Sequence, residues 1–192
     1  MLFRSSFYGE PALKLNFSNG VRSLVLKYKS HKLERHSDNE VLSVELAFDD
    51  YPVEITLFYR VWKDCEIIDR WTSINNTGKE TIEIESVMSA SFCLPRIDGD
   101  YRVTHLSGRW ANEGTINRVP LKQSKLVVES RSGLSGPYAM PFVAMDKGDA
   151  SEQAGRVWFG TLQWSGNWKI TACRQPYEEV AFTGGVNDFD FM

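Results

Sequence analysis

The chain has 192 residues, with 22 Lys+Arg against 25 Asp+Glu for a formal net charge of −3, and 42% of it is hydrophobic. At about 150 residues per domain, that length fits a single domain, 1–192, with enough apolar material for a core. A slightly acidic chain without a Lys/Arg-dense block is a poor candidate for a nucleic-acid partner, and no run of about 18 apolar residues is present to cross a membrane.

Met1 to Tyr8 shows no basic start, apolar run or small-residue cleavage site. The expectation is a cytoplasmic protein, or a periplasmic or secreted one if a leader was removed upstream of this numbering. Two sequons, Asn16-Phe17-Ser18 and Asn75-Asn76-Thr77, carry weight only with a secretory signal. From there the dominant period is two. Leu24, Leu26 and Tyr28 alternate, as do Leu42, Val44, Leu46 and Phe48. Val53, Ile55, Leu57, Tyr59 and Val61 then share one face, with Glu54, Thr56 and Arg60 on the other, as a half-buried strand requires. Further extended segments are expected at 66–74, 81–94, 126–129, 141–145, 156–164 and 168–174, all rich in residues suited to a pleated surface. Asn19-Gly20, Asn76-Thr77-Gly78, Asp98-Gly99-Asp100, Lys147-Gly148-Asp149, Gly166-Asn167 and Gly184-Gly185 read as hairpin loops between them. No window keeps a helical apolar stripe. The expectation is an all-β chain of at least about ten strands, stacked as a large two-sheet sandwich, because one open sheet of that size leaves long edges.

Two segments do not read as strands, 106–124 and 131–140, and long loops in compact domains are often functional. Arg109, Trp110 and Tyr138 within them suit a sugar site or a subunit contact, where flat rings stack and planar donors fork. The competing reading is that Trp110 plugs the end of the sandwich. Trp62, Trp71, Trp158 and Trp164 read as core, whereas Trp168 follows a tight turn and either projects into a site or packs. Cys65, Cys93 and Cys173 read as buried free thiols, since their odd number and wide spacing give no disulfide framework and no zinc motif. His31, His36 and His105 lack close acidic partners, so no metal is expected. The acids Asp49-Asp50, Glu178-Glu179, Asp188 and Asp190 are scattered, while glycosidic hydrolysis needs two carboxyls facing across roughly 5 to 9 Å. Ser107 and Ser135 do not fit a nucleophile elbow, and no glycine loop for a phosphate cofactor is present. The residues alone describe a binding or structural module without catalytic residues or cofactor.

The order of motifs carries more. VWKDCEIIDRWTSINN over 61–76 is followed by Leu94-Pro95-Arg96, then YRVTHLSGRWA over 101–111 and Glu129-Ser130-Arg131-Ser132-Gly133. Trp164-Ser165-Gly166-Asn167-Trp168 and TGGVNDFDF over 183–191 complete the series. Together they resemble the N-terminal domain of glycoside hydrolase family 36 α-galactosidases, the melibiase and raffinose-cleaving group, over nearly the whole chain. The resemblance implies a β-supersandwich, similar to the galactose-mutarotase-like fold, packed against a catalytic (β/α)8 barrel in the same polypeptide. There, two barrel aspartates perform retaining hydrolysis of terminal α-galactosides. No part of this chain matches the barrel, so the isolated chain is expected to be inactive, and both ends look cut within motifs. The resemblance also implies a homo-oligomer whose N-terminal-domain loops approach a neighbour's active site. That gives Arg4, Trp168, Arg131 and Tyr138 a role in shaping a pocket for a galacto-oligosaccharide. Arg109 and Trp110 take a role in subunit or barrel contact. Two stretches depart from the family pattern: Leu2-Phe3-Arg4 stands where Asp-Tyr-Arg is frequent, and SGPYAMPF over 135–142 where SSHQHNPF is frequent. Two other readings compete: a freestanding carbohydrate-binding sandwich using Trp110 and Trp168, and, by fold analogy, a mutarotase-type isomerase.

Overall fold

Among the described residues the period-two pattern resolves into thirteen strands and no helix. The computed structural model describes residues 10–22, 25–95, 99–122, 125–175 and 179–187. Two compact units divide the chain, one from Lys14 to Glu85, the other from Ser86 onward together with the segment before Lys14.

The first unit is built on a four-stranded meander. Strand β1 (Leu13–Phe17) ends in the Asn19-Gly20 turn, where Gly20 takes the left-handed φ of 80° that a β-carbon disfavours. Then β2 (Lys27–Arg35), β3 (Asn39–Ala47), β4 (Val53–Trp62) and β5 (Ile68–Asn76) pair in sequence order. The β3–β4 register sets Leu42 opposite Tyr59, Val44 opposite Leu57 and Leu46 opposite Ile55, so the apolar positions share one face. Burial is complete only at one end, at Val53 and Ile55, and fades toward Val61, which is 47% exposed.

The second unit continues with β6 (Ile82–Leu94), which starts before the boundary, then β7 (Tyr101–Arg109), β8 (Asn112–Leu121) and β9 (Lys125–Ser130). It ends with β10 (Phe142–Asp146), β11 (Val157–Thr161), β12 (Trp168–Arg174) and β13 (Val180–Val186). Within this unit one sheet has the order β6-β13-β12-β9 and the other β11-β10-β7-β8. Val103, Val143 and Met145 from the second sheet and Trp168, Ile170, Val180 and Phe182 from the first form one buried cluster. Two antiparallel sheets therefore sandwich this core, as sheets with one apolar face must. The all-β sandwich expectation holds, with the meander of the first unit as a third sheet.

Several local expectations are corrected. Segment 106–124, in its described part up to Leu121, is not a loop but belongs to the β7–β8 hairpin. Strand β8 is an exposed edge with Gly114 and Pro120 and no apolar alternation, so its sequence carries no strand period. Gly184-Gly185 is no turn but lies inside β13, where the pairing with β6 shifts register. A β-carbon on Gly185 would lie 2.2 Å from the carbonyl oxygen of Val87, so this glycine permits a close backbone approach. The three thiols are free but not buried: Cys65 and Cys93 are exposed and Cys173 is half-buried. Trp164 is 45% exposed and not core, while Trp62, Trp71 and Trp158 are half-buried.

Candidate functional site

The two segments singled out in the sequence meet at one end of the sandwich. The Met140 amide donates to the Leu106 carbonyl at 3.1 Å, tying the 131–140 loop to β7. Trp110 and Glu113 from the β7–β8 hairpin, with Ser135, Pro137 and Met140 from the loop, line an open depression of about 370 Å³. The hairpin tip is narrow because residue 108 is glycine: a β-carbon there would lie 2.3 Å from the Asn112 carbonyl oxygen. Ala111 takes the left-handed φ of 62° at the turn, and its amide donates to Glu113 Oε1 at 3.0 Å.

A network beneath the loop fixes its shape. Ser130 Oγ donates to the Leu134 carbonyl at 2.7 Å, and the Gly133 amide donates to Asn167 Oδ1 at 2.7 Å. The Trp168 indole Nε1–H donates to Ser135 Oγ at 2.9 Å. Asn187, buried at the end of β13, donates to Glu129 Oε2 at 3.0 Å, and its amide donates to the Asn167 carbonyl at 3.1 Å. Arg131 Nε donates to the other oxygen of Glu129 at 3.2 Å. The HLSGRW, SGNW and GGVN motifs thus converge on one place. Asn167, Asn187 and Ser135 are its organisers, residues that the sequence shows only as parts of a turn or motif. Their signal was the spacing of polar side chains beside Gly and Trp.

Each expected site residue has a definite place, except Arg4, which lies outside the described residues. Trp168 does not project. Its side chain is fully buried in the sandwich core and reaches the loop only through its indole N–H. Trp110 does not plug the sandwich end, being 89% exposed, and Tyr138 is 78% exposed. Arg109 sits exposed at the end of β7, and Arg131 is held by Glu129. Leu134 adds an exposed aliphatic side chain to the same loop. Fixed backbone under exposed rings is the arrangement expected of a contact surface.

The ionisable groups here are structural. Glu113 accepts from the hairpin backbone, and both oxygens of Glu129 are engaged by Arg131 and Asn187. On β7, burial pushes the His105 pKa down and keeps the imidazole neutral, with Nδ1 unpartnered. Ser107 Oγ accepts from Asn117 Nδ2 at 2.7 Å. Among the described residues no group of three or more His, Cys, Asp or Glu side chains is placed to hold a metal. Among the described residues, the carboxylates at this surface are taken up by structural hydrogen bonds.

Comparison with known proteins decides the family. The model of the glycosyl hydrolase family 36 N-terminal domain matches residues 3–192. The chain belongs to this family. As a family 36 N-terminal domain it is 30% identical, over 94% of its length, to α-galactosidase Mel36A of Lactobacillus acidophilus, and covers 26% of that protein. It is 28% identical to α-galactosidase AgaA of Geobacillus stearothermophilus, covering 94% of this chain and 27% of that one. A crystal structure of an AgaA variant in complex with stachyose superimposes with a TM-score of 0.90 at 28% identity, over 96% of this chain and 27% of that chain. The family 36 domain thus spans about a quarter of the length of the curated relatives it matches. The family and the sandwich expected from HLSGRW, SGNW and GGVNDFDF are both borne out.

Proposed function

We propose that this chain is the accessory N-terminal domain, a single domain over 1–192, of a retaining α-galactosidase that cleaves terminal α-galactosides of the melibiose and raffinose type. In this reading it supports a catalytic (β/α)8 barrel and subunit assembly and is not catalytic alone. The observation that carries it is the continuous match of residues 3–192 to the family 36 N-terminal domain. The site geometry agrees: Trp110, Leu134 and Tyr138 stand exposed on a loop and hairpin pinned to the core, as a protein–protein contact requires. Arg109 and Trp110 serve as barrel or subunit contacts, and Arg131 and Tyr138 shape a neighbouring pocket. Trp168 acts indirectly, by holding Ser135. Arg4 keeps its proposed role from the motif alone.

The test is direct. The 192-residue chain should not release chromophore from a nitrophenyl α-galactoside, whereas the complete polypeptide should. In the complete polypeptide, Trp110→Ala should lower activity or shift the oligomer on a sizing column without changing the far-ultraviolet circular dichroism. Turnover by the 192 residues alone overturns the proposal. The freestanding sugar-binding reading loses one of its two rings, because Trp168 is buried.

A further inference from the structure

A second depression lies wholly within the first unit, away from the motifs described so far. The turn after β1, the β3–β4 connection and the β5–β6 connection surround about 570 Å³. That is within the range of small-ligand sites, roughly 300 to 1,000 Å³. Its apolar side is formed by Pro52, Ile82 and the edge of Tyr51, whose ring is held between Phe17 at 4.0 Å and Phe48 at 5.4 Å between centroids. Its polar side consists of short planar side chains held in place. Asn19 accepts from the Val21 amide at 3.1 Å and donates to the Tyr51 hydroxyl at 2.7 Å. Asn76 accepts from the Gly78 amide at 3.0 Å and donates to the Glu80 carbonyl at 2.7 Å. The Glu80 carboxylate accepts from Ser18 Oγ.

These partners fix orientation without exhausting capacity. Each amide nitrogen has a second N–H, the Tyr51 hydroxyl keeps its own proton, and a carboxylate accepts more than one bond. Lys79 adds three donors at the rim. Apolar lining from Pro52 and Ile82 beside mixed donors and acceptors suits a sugar, because a pyranose ring has apolar C–H faces and hydroxyls that both donate and accept. Charge narrows the class further. Lys79 and Glu80 cancel, and the carboxylate disfavours an anion, so the fit is to a neutral ligand.

We propose that this depression, lined by Phe17, Asn19, Tyr51, Asn76, Lys79 and Glu80, is a binding site for a neutral pyranose sugar of mono- to disaccharide size. It is separate from the Trp110–Tyr138 surface and does not depend on the α-galactosidase reading, since its test uses no enzymatic activity. The experiment is a titration of the 15N-labelled 192-residue chain with galactose, melibiose and sucrose up to about 50 mM, a range that reports millimolar affinity. Amides of Asn19, Tyr51, Asn76 and Lys79 should shift saturably for at least one sugar. Tyr51→Ala should weaken that binding by about tenfold or more, which corresponds to about 1.4 kcal/mol. The exposed variants Glu80→Gln and Lys79→Ala should weaken it several-fold with the rest of the spectrum unchanged, and they serve if Tyr51→Ala fails to fold. Glucuronate should bind more weakly than the neutral sugars. No shift at these amides, shifts confined to 131–140, or shifts that survive the three substitutions would each overturn the proposal. Equal or tighter binding of glucuronate would overturn it as well.

Discussion

Strands β12 and β2 have antiparallel pairing in common and little else. In β12 the run from Trp168 to Ala172 is buried residue after residue, between β9 and β13. In β2 every residue is exposed, and the strand forms an edge. Its lysines and arginine are met by acids: Lys27 by Asp49, Lys29 by Glu54 at 3.2 Å, and Arg35 by Glu40 at 3.4 Å. Charge on an edge strand discourages pairing with another chain and does little for stability, because exposed ion pairs are weak. Buried side chains run unbroken along Trp168 to Ala172 of β12 and are lacking along β2.

Ile170→Ala, in the centre of β12, should cost about 2–5 kcal/mol in urea unfolding. Leu33→Ala in β2 should stay within about 0.5 kcal/mol. Similar losses at the two positions would break the contrast. Gly185→Ala tests the close approach of β13 to β6, and the backbone has to move by an amount costing about 1–3 kcal/mol, read as a fall in unfolding midpoint. Trp168→Phe keeps a ring in the core but removes the donor to Ser135. It should cost about 1 kcal/mol and accelerate hydrogen exchange at the Gly133 amide, whereas exchange at β12 amides should change less. The smallest effect concerns pH. Burial lowers the His105 pKa, so the folded state favours the neutral ring. Its contribution is fully present above the unfolded value of about 6.5 and is lost as pH falls below it. Unfolding midpoints at pH 7.5 and 5 should differ less in His105→Gln than in the unaltered chain. An unchanged difference would remove His105 from the account.

The sequence was legible where one face is buried. Val53 to Val61 alternates because the β3–β4 register sets its odd-numbered side chains on the apolar face, and the strand reads off directly. It was illegible in two opposite situations. The mostly exposed edges β2 and β8 carry no regular apolar alternation, so only part of the first and none of the second was anticipated. At the other extreme, β13 is buried from Val180 to Gly185, and its paired glycines imitate a turn because a close approach and a turn both favour glycine. The site divides in the same way. Trp110 and Tyr138 stood out by residue type, but their setting depends on contacts between residues far apart in the chain. Gly133 with Asn167 and Ser135 with Trp168 are examples, and no local pattern encodes them.

The left-handed alanine at the hairpin tip has a consequence for recognition. Holding Ala111 at φ 62° costs about 1–2 kcal/mol that a glycine would avoid. The cost is met by the flanking strands, so the neighbouring indole is presented on a stiff support, with part of its freedom surrendered during folding. A partner that closes over Trp110 then has less disorder to remove on docking. Replacing Ala111 with glycine should make the free domain more stable, yet make its ring a slower and weaker handle for whatever grips it.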